Sequence, residues 1–507
     1  MVNGSASYVL QEDVLQELEI AESPVKFCTV TLSDVIARGK RLEASVFDVE
    51  AKNAWNRIVK NKYGSTSLYG DNGLIDNAYY PGWMQRSRLK RIWCEKGFGE
   101  GFYLPSQMTD INPVAEKYIS RLADCDMDEL RLKRNTLLLT RSGTIGNVAY
   151  VSKTLEGRVF SDDVIRISFK QGYDLGYVYA FLKSKTGNTL LKTNGYGSVI
   201  THIEPDHLEE ILIPDAPVEL RCRVNDLIVK SYELRDESND LIDEATALLI
   251  KELKFPGIEA FNVNLYRKNA NVDTFNIKLS DMAGRVDASY HVPIVDTIVN
   301  HMKKYAAEVT TVGDKRISKE IILPGRFKRV YVEDGYGRVF IGGKQLFELD
   351  PTNKKYLSLV HHGNRIAKQL ELHEGMTLIT CSGTIGKVAL VGKRWENWTA
   401  NQHIIRVVPA TKDIAGYISI FLASEYGYPL ITRFTYGSVV DEIDDIHVSS
   451  IPFPLLKNVD AQQYINELAL KASEKRDEAY KMEQKALKIV DNEVIFAKRR
   501  SLVVLKT

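Results

Sequence analysis

Arg86, Arg88, Lys90 and Arg91, followed by Trp93, place five cationic or aromatic groups within eight residues. Arg326, Lys328, Arg329 and Tyr331 repeat the arrangement in the second half of the chain. Lysine and arginine neutralise phosphates, and arginine also grips a guanine edge with two hydrogen bonds. The plain alternative is a solvated strand edge, where the same residues block unwanted strand pairing. Recurrence in both halves brings the two readings level.

A second pair of stretches carries hydroxyls and glycines. Ser142-Gly143-Thr144-Ile145-Gly146 lies between the apolar runs Leu137-Leu138-Leu139 and Val148-Ala149-Tyr150, and it returns 240 residues later as Ser382-Gly383-Thr384-Ile385-Gly386. Glycines let backbone approach a ligand, and Ser142, Thr144, Ser382 and Thr384 can donate to phosphate. The alternative is a tight hairpin whose glycines are only conformational. We favour a structural turn near a DNA face, contacted from its flanks by Arg141, Asn147 and Lys387. Tyr196-Gly197-Ser198 and Tyr436-Gly437-Ser438 read equally as loop contacts or buried turns.

No catalytic constellation is visible. The chain has no Gly-x-x-x-x-Gly-Lys-Ser/Thr phosphate loop and no Asn/Asp-Pro-Pro-aromatic motif of the amino-methyltransferase kind. Gly97-Phe98-Gly99-Glu100-Gly101 reads as a turn, because no helical pattern opens after it. His361-His362 reads as a surface loop without matching metal ligands. The carboxylates Glu204, Asp206, Asp441, Glu442, Asp444 and Asp445 suit capping and turns better than metal binding. The five cysteines (Cys28, Cys94, Cys125, Cys222, Cys381) form no CxxC pair, which fits a reducing cytoplasm. Neither an apolar run of 18 residues nor a secretory leader is seen, so no membrane partner is expected. The net charge of +1 leaves nucleic-acid binding to a local basic face.

The elements that must position these groups are duplicated. Leu32-Ser33-Asp34 corresponds to Leu279-Ser280-Asp281, Gln107 to Gln345, Val164-Ile165-Arg166 to Ile404-Ile405-Arg406, and Ile213-Pro214 to Ile451-Pro452. Two tandem β-rich units follow from this repeat. Each is followed by a segment of heptad character. Val218–Leu253 lacks proline and glycine; Leu227, Leu234, Leu241 and Leu248 recur every seven residues beside Val224, Ser231, Ser238 and Ala245. The second segment carries Ile465, Ala472, Ala479 and Ala486 beside Leu468, Lys475, Met482 and Ile489. These patterns predict two long helices packed on each other, antiparallel if the intervening unit returns the chain to the opposite end. The expected class is α+β, divided as an arm (1–27), a first unit (28–217), a long helix (218–254), a linker (255–275), a second unit (276–457), a second long helix (458–495) and a tail (496–507).

Two β-rich units bearing Ser-Gly-Thr-Ile-Gly, then Tyr-Gly-Ser, then Ile-Pro and a long heptad helix resemble the specificity subunit of type I restriction–modification systems. The resemblance covers about Phe27 to Val494. It implies two target recognition domains, each reading half of a split double-stranded DNA site. It also implies an antiparallel coiled coil that spaces them and docks two methyltransferase subunits. It implies no catalytic residue in this chain. Partners would bind S-adenosylmethionine for adenine methylation, and a restriction–translocase subunit would use ATP and Mg where restriction accompanies modification. The competing readings are a related phage-defence or methylation component, a DNA enzyme acting alone, and a coiled-coil interaction scaffold that binds no DNA.

Overall fold

The computed structural model describes residues 29–37, 47–82, 90–123, 126–193, 195, 201–262, 267–269, 272–282, 284–348, 350–351, 354–437 and 439–497. The arm at 1–27 lies outside these residues, as does most of the tail.

Two helices organise the chain. The first runs uninterrupted from Val218 to Leu253, about 50 Å at 1.5 Å per residue. It starts after Pro217 and stops where Lys254 turns left-handed ahead of Pro256-Gly257. The second spans Val459–Ile489. Its N-terminus is capped by Asn458, which accepts from the Ala461 N–H at 3.1 Å. It ends in a wider π turn through Ile495. The pairs between them fix an antiparallel sense. Tyr464 bonds Glu244 (3.0 Å), Arg476 bonds Ser238 (3.0 Å), and Arg223 bonds Glu493 (2.5 Å).

Small residues carry the closest part of the seam. Ser231, Ser238 and Ala245 on the first helix and Ala472, Ala479 and Ala486 on the second are all buried, so the axes approach closely. Ile465, Leu468 and Ile489 are buried with them, and Met482 is half-buried. Leu234 packs on Ala479 at mid-seam, whereas Leu227, Leu241 and Leu248 are half-buried and turn toward the globular units.

Each unit holds a four-stranded antiparallel sheet. In the first the order is Ile75–Tyr79, Val164–Phe169, Leu137–Thr140, Val148–Tyr150, and in the second Ser318–Ile322, Ile404–Pro409, Thr377–Thr380, Val388–Leu390. The inner strands are mainly apolar and largely buried because both faces are covered. Leu137 and Leu139 face the helices, while Leu138 faces a second core with Phe160 and Val164. A smaller sheet lies beyond, ordered Trp93–Cys94, Lys117–Ser120, Gly99–Tyr103, Val159–Phe160, with its equivalent in the second unit. A buried arginine joins the two sheets in each unit. Arg166 donates to the carbonyls of Leu130, Phe160, Ser161 and Val164; Arg406 donates to those of Leu370, Ala400, Asn401 and Ile404.

In each unit the core on the helix side of the larger sheet is completed by the two long helices. The first is completed by Val224, Ile228 and Tyr232 from the start of one helix and Ala486, Ile489 and Val494 from the end of the other. The second is completed by Ala245, Leu249 and Leu253 with Ile465, Leu468 and Ala469. Two polar clamps per unit lock this docking. Asn225 accepts from the Gly176 N–H (2.9 Å), and Asn466 from that of Gly416 (2.7 Å). Eleven residues on, three helical turns along the same face, Asp236 accepts from Ser152, Lys153 N–H and Thr154, and Asp477 from the N–H groups of Lys393 and Arg394. Glu483, with no exposed side-chain surface, sits between Lys183 (2.5 Å) and Arg235 (2.5 Å) and also accepts from Tyr179 (2.6 Å). Burial works against its charge, but the two cations outweigh that and hold its carboxyl below the usual range.

The duplication closes on itself. Asp110 and Glu348 occupy equivalent places in the two units, and they pair across the junction. Beside them the Ile111 N–H donates to Phe347 O (2.7 Å), and Asn239 of the first long helix donates to Ile111 O (2.9 Å). Self-complementary contact of this kind marks an approximate two-fold axis. The expected linker has structure of its own, a short helix at Ile258–Asn262 and the paired strands Arg267–Asn269 and Val272–Thr274.

Candidate nucleic-acid interface

The Ser-Gly-Thr-Ile-Gly segments are turns pinned from one side. The Gly143 N–H donates to Thr201 O (3.2 Å) and the Gly383 N–H to Asp441 O (2.9 Å), while Ile203 and Ile443 bond back to Arg141 O and Cys381 O. Gly143 and Gly383 both sit at φ +74° with open space around the missing Cβ, so backbone conformation demands glycine there. Gly146 and Gly386 also have positive φ and pack close to Asn188 and Tyr428. The glycines and these bonds fix the backbone of the turn, and Thr144 and Thr384 are exposed on it. Ser142 pairs through its backbone with His202. Ser382 makes the equivalent pair with Glu442 and sets its hydroxyl 3.5 Å from that carboxylate. Asn147 bonds Thr140 through its backbone (3.1 Å).

The basic stretches lie against these turns, and their side chains alternate. Lys90 and Lys328 are exposed without an ion-pair partner among the described residues. Arg91 turns inward to Asp162 (2.5 Å), and Arg329 to Gln402 (2.8 Å). Arg326 is 80 % exposed and reaches Glu442 at 2.9 Å. Arg141 is held by Glu204 (2.8 Å) and Asp163 (3.4 Å) and stacks 4.1 Å over Tyr80. Burial opposes its charge, but Glu204, Tyr80 and Asp163 raise its pKa above the usual value. Lys387 points to the other unit, bonding Glu116 at 3.3 Å. Tyr436 exchanges two backbone hydrogen bonds with Glu442 (3.0 and 2.8 Å) and is partly exposed. Arg86, Arg88, Tyr196, Ser198 and Ser438 lie outside the described residues.

The turn, the basic stretch and the strand entry at 162–163 or 402–403 thus converge on one face of each unit. Sequence reading missed the last of these. Its only signal was position, since Asp162-Asp163 and Gln402-His403 stand four and three residues ahead of the duplicated Arg166 and Arg406. The His361-His362 expectation is corrected. Both lie in the helix Leu359–Arg365, which Ser358 caps by accepting from the His361 N–H at 3.3 Å. His362 accepts from the Val330 N–H (3.2 Å) and packs on Phe327. Burial lowers its pKa, as do His361 and Arg365.

Among the described residues no His, Cys, Asp and Glu group is arranged to hold a metal ion, and no helix is long and apolar enough to cross a membrane. The Asp444 carboxylate caps a helix, whereas that of Glu204 pairs with Arg141 and only its backbone joins the turn. Asp444 accepts from the His447 N–H (2.8 Å), and the Glu204 N–H donates to His207.

No family model and no curated relative matches the chain. Solved structures do. The chain is similar to a type I restriction–modification S subunit from M. genitalium, with 12% identity, 85% of this chain and 98% of that one covered, and a TM-score of 0.29. It is similar to a chain of a structure described as showing complex assembly and conformational transition of the type I R-M system, at 14% identity, 83% and 98% coverage and a TM-score of 0.26. The HsdS subunit from Thermoanaerobacter tengcongensis gives 13% identity, 83% and 98% coverage and a TM-score of 0.25.

Proposed function

We propose that this chain is the DNA-specificity subunit of a type I restriction–modification complex, reading a bipartite, asymmetric target and docking methyltransferase subunits. One observation carries the reading. Two equivalent units present equivalent motif-bearing faces and are fixed to opposite ends of one shared antiparallel helix pair. A rod with a reader at each end makes the gap between half-sites a geometric quantity, in the way protein symmetry sets half-site spacing elsewhere. Lys90, Lys328 and Arg326 supply phosphate contacts, which position without specifying. The outward surfaces of the long helices offer the docking place for two methyltransferase subunits. Those partners, rather than this chain, would bind S-adenosylmethionine, and ATP and Mg would belong to a restriction subunit.

The test is methylome sequencing of a host expressing the chain with and without its methyltransferase partner. A split adenine-methylated motif that needs both proteins is the expected result. Absence of any new motif, with the complex shown to form, would defeat the reading.

A further inference from the structure

The two faces share one backbone and differ in what they present. Arg166 and Arg406 clamp equivalent carbonyls on either side of residues 162–163 and 402–403. The Asp163 N–H is held by Ser161 Oγ (3.2 Å), and the His403 N–H by Asn401 Oδ1 (2.9 Å). Their carbonyls accept from equivalent donors, the Arg141 N–H (3.1 Å) and the Cys381 N–H (3.0 Å). Arg91 and Arg329 then reach the first side chain of each pair from equivalent positions. On this fixed frame the first unit carries two carboxylates and the second an amide and an imidazole. The substitutions are matched around them, since Arg141, which pairs with Asp163, is replaced by Cys381 beside His403. All four side chains are half-buried at the face.

We propose, resting on the specificity reading above, that Asp162-Asp163 and Gln402-His403 are specificity-determining pairs that make the two half-sites differ. The chemistry is that of base-edge readout. Carboxylates only accept, which suits the cytosine amino group, whereas the Gln402 amide donates and accepts, which suits the adenine edge. Arg91 and Arg329 stand beside the first side chain of each pair. Gln402 in turn is oriented by Arg329 on its oxygen and by His403 on its nitrogen (2.9 Å).

The experiment uses the full chain to select duplexes from a random-sequence DNA pool, comparing wild type with D162Q/D163H and with the reciprocal Q402D/H403D. Thermal melts screen for folding, and D162Q alone serves as the milder variant. Wild type should enrich a two-part motif. D162Q/D163H should change one part while keeping the other, with preference for the original base falling about 5- to 150-fold, and Q402D/H403D should change the opposite part. A folded variant that enriches the wild-type motif unchanged would overturn the proposal and leave the specificity reading standing. Failure of wild type to enrich any motif would overturn both.

Discussion

Raising the pH should loosen the contact between the two units, and Asp110→Asn should abolish that dependence. Asp110 sits where the units meet, paired through the backbone with Glu348, whose side chain is buried. Burial, then the nearby Glu348 charge, pushes the Asp110 carboxyl from 3.8 to about 7, with Lys344 and Lys387 pulling it down and Glu116 pushing it up. A carboxyl whose pKa is raised in the contact binds its proton more tightly there than when the units part. Its contribution is therefore fully present below about pH 4 and is lost as pH rises through about 7. The full rise corresponds to roughly 4 kcal/mol. Asp110 is half-buried, and solvent screening brings the expected effect nearer about 2 kcal/mol. Hydrogen exchange of the Ile111 amide, corrected for intrinsic rate, reads the contact directly, since that N–H donates across the junction to Phe347. Protection should fall by about tenfold or more between pH 5 and 8 in the wild type and stay flat in Asp110→Asn. Equal pH dependence in both proteins, or protection that rises with pH, would refute the reasoning.

Three further outcomes follow from the same geometry. Glu483→Ala leaves Lys183 and Arg235 buried without their shared counter-ion and should cost about 3–5 kcal/mol in chemical denaturation, with Glu483→Gln costing less. Lys90→Ala with Lys328→Ala should lower the salt slope of duplex binding by about one for each phosphate no longer neutralised, without changing the motif selected. Gly143→Ala forces a Cβ onto a residue at φ +74° and should lower stability by about 1 kcal/mol, read as a shift in the melting midpoint.

The repeat made much of this architecture legible. Identical hairpin turns 240 residues apart announced two like units. A stretch free of proline and glycine announced the first long helix. What stayed hidden depends on contacts between residues distant in sequence. Nothing near Asn225 or Asp236 in the chain reveals that they bond Gly176 and Ser152. Ser231, Ser238, Ala472 and Ala479, by contrast, were legible as small seam residues that let the axes come close, and all four are buried. Asp162 and Gln402 carry no such signal, because they differ in type while the backbone around them is the same in both units.

The most direct test of the two-ended reader is a hybrid chain in which the second unit is replaced by a copy of the first, expressed with the methyltransferase partner and examined by methylome sequencing. Because the helices run antiparallel and the units are related by an approximate two-fold axis, the methylated site should become an inverted repeat of the first half-site. A folded hybrid that methylates the original asymmetric target would contradict the account.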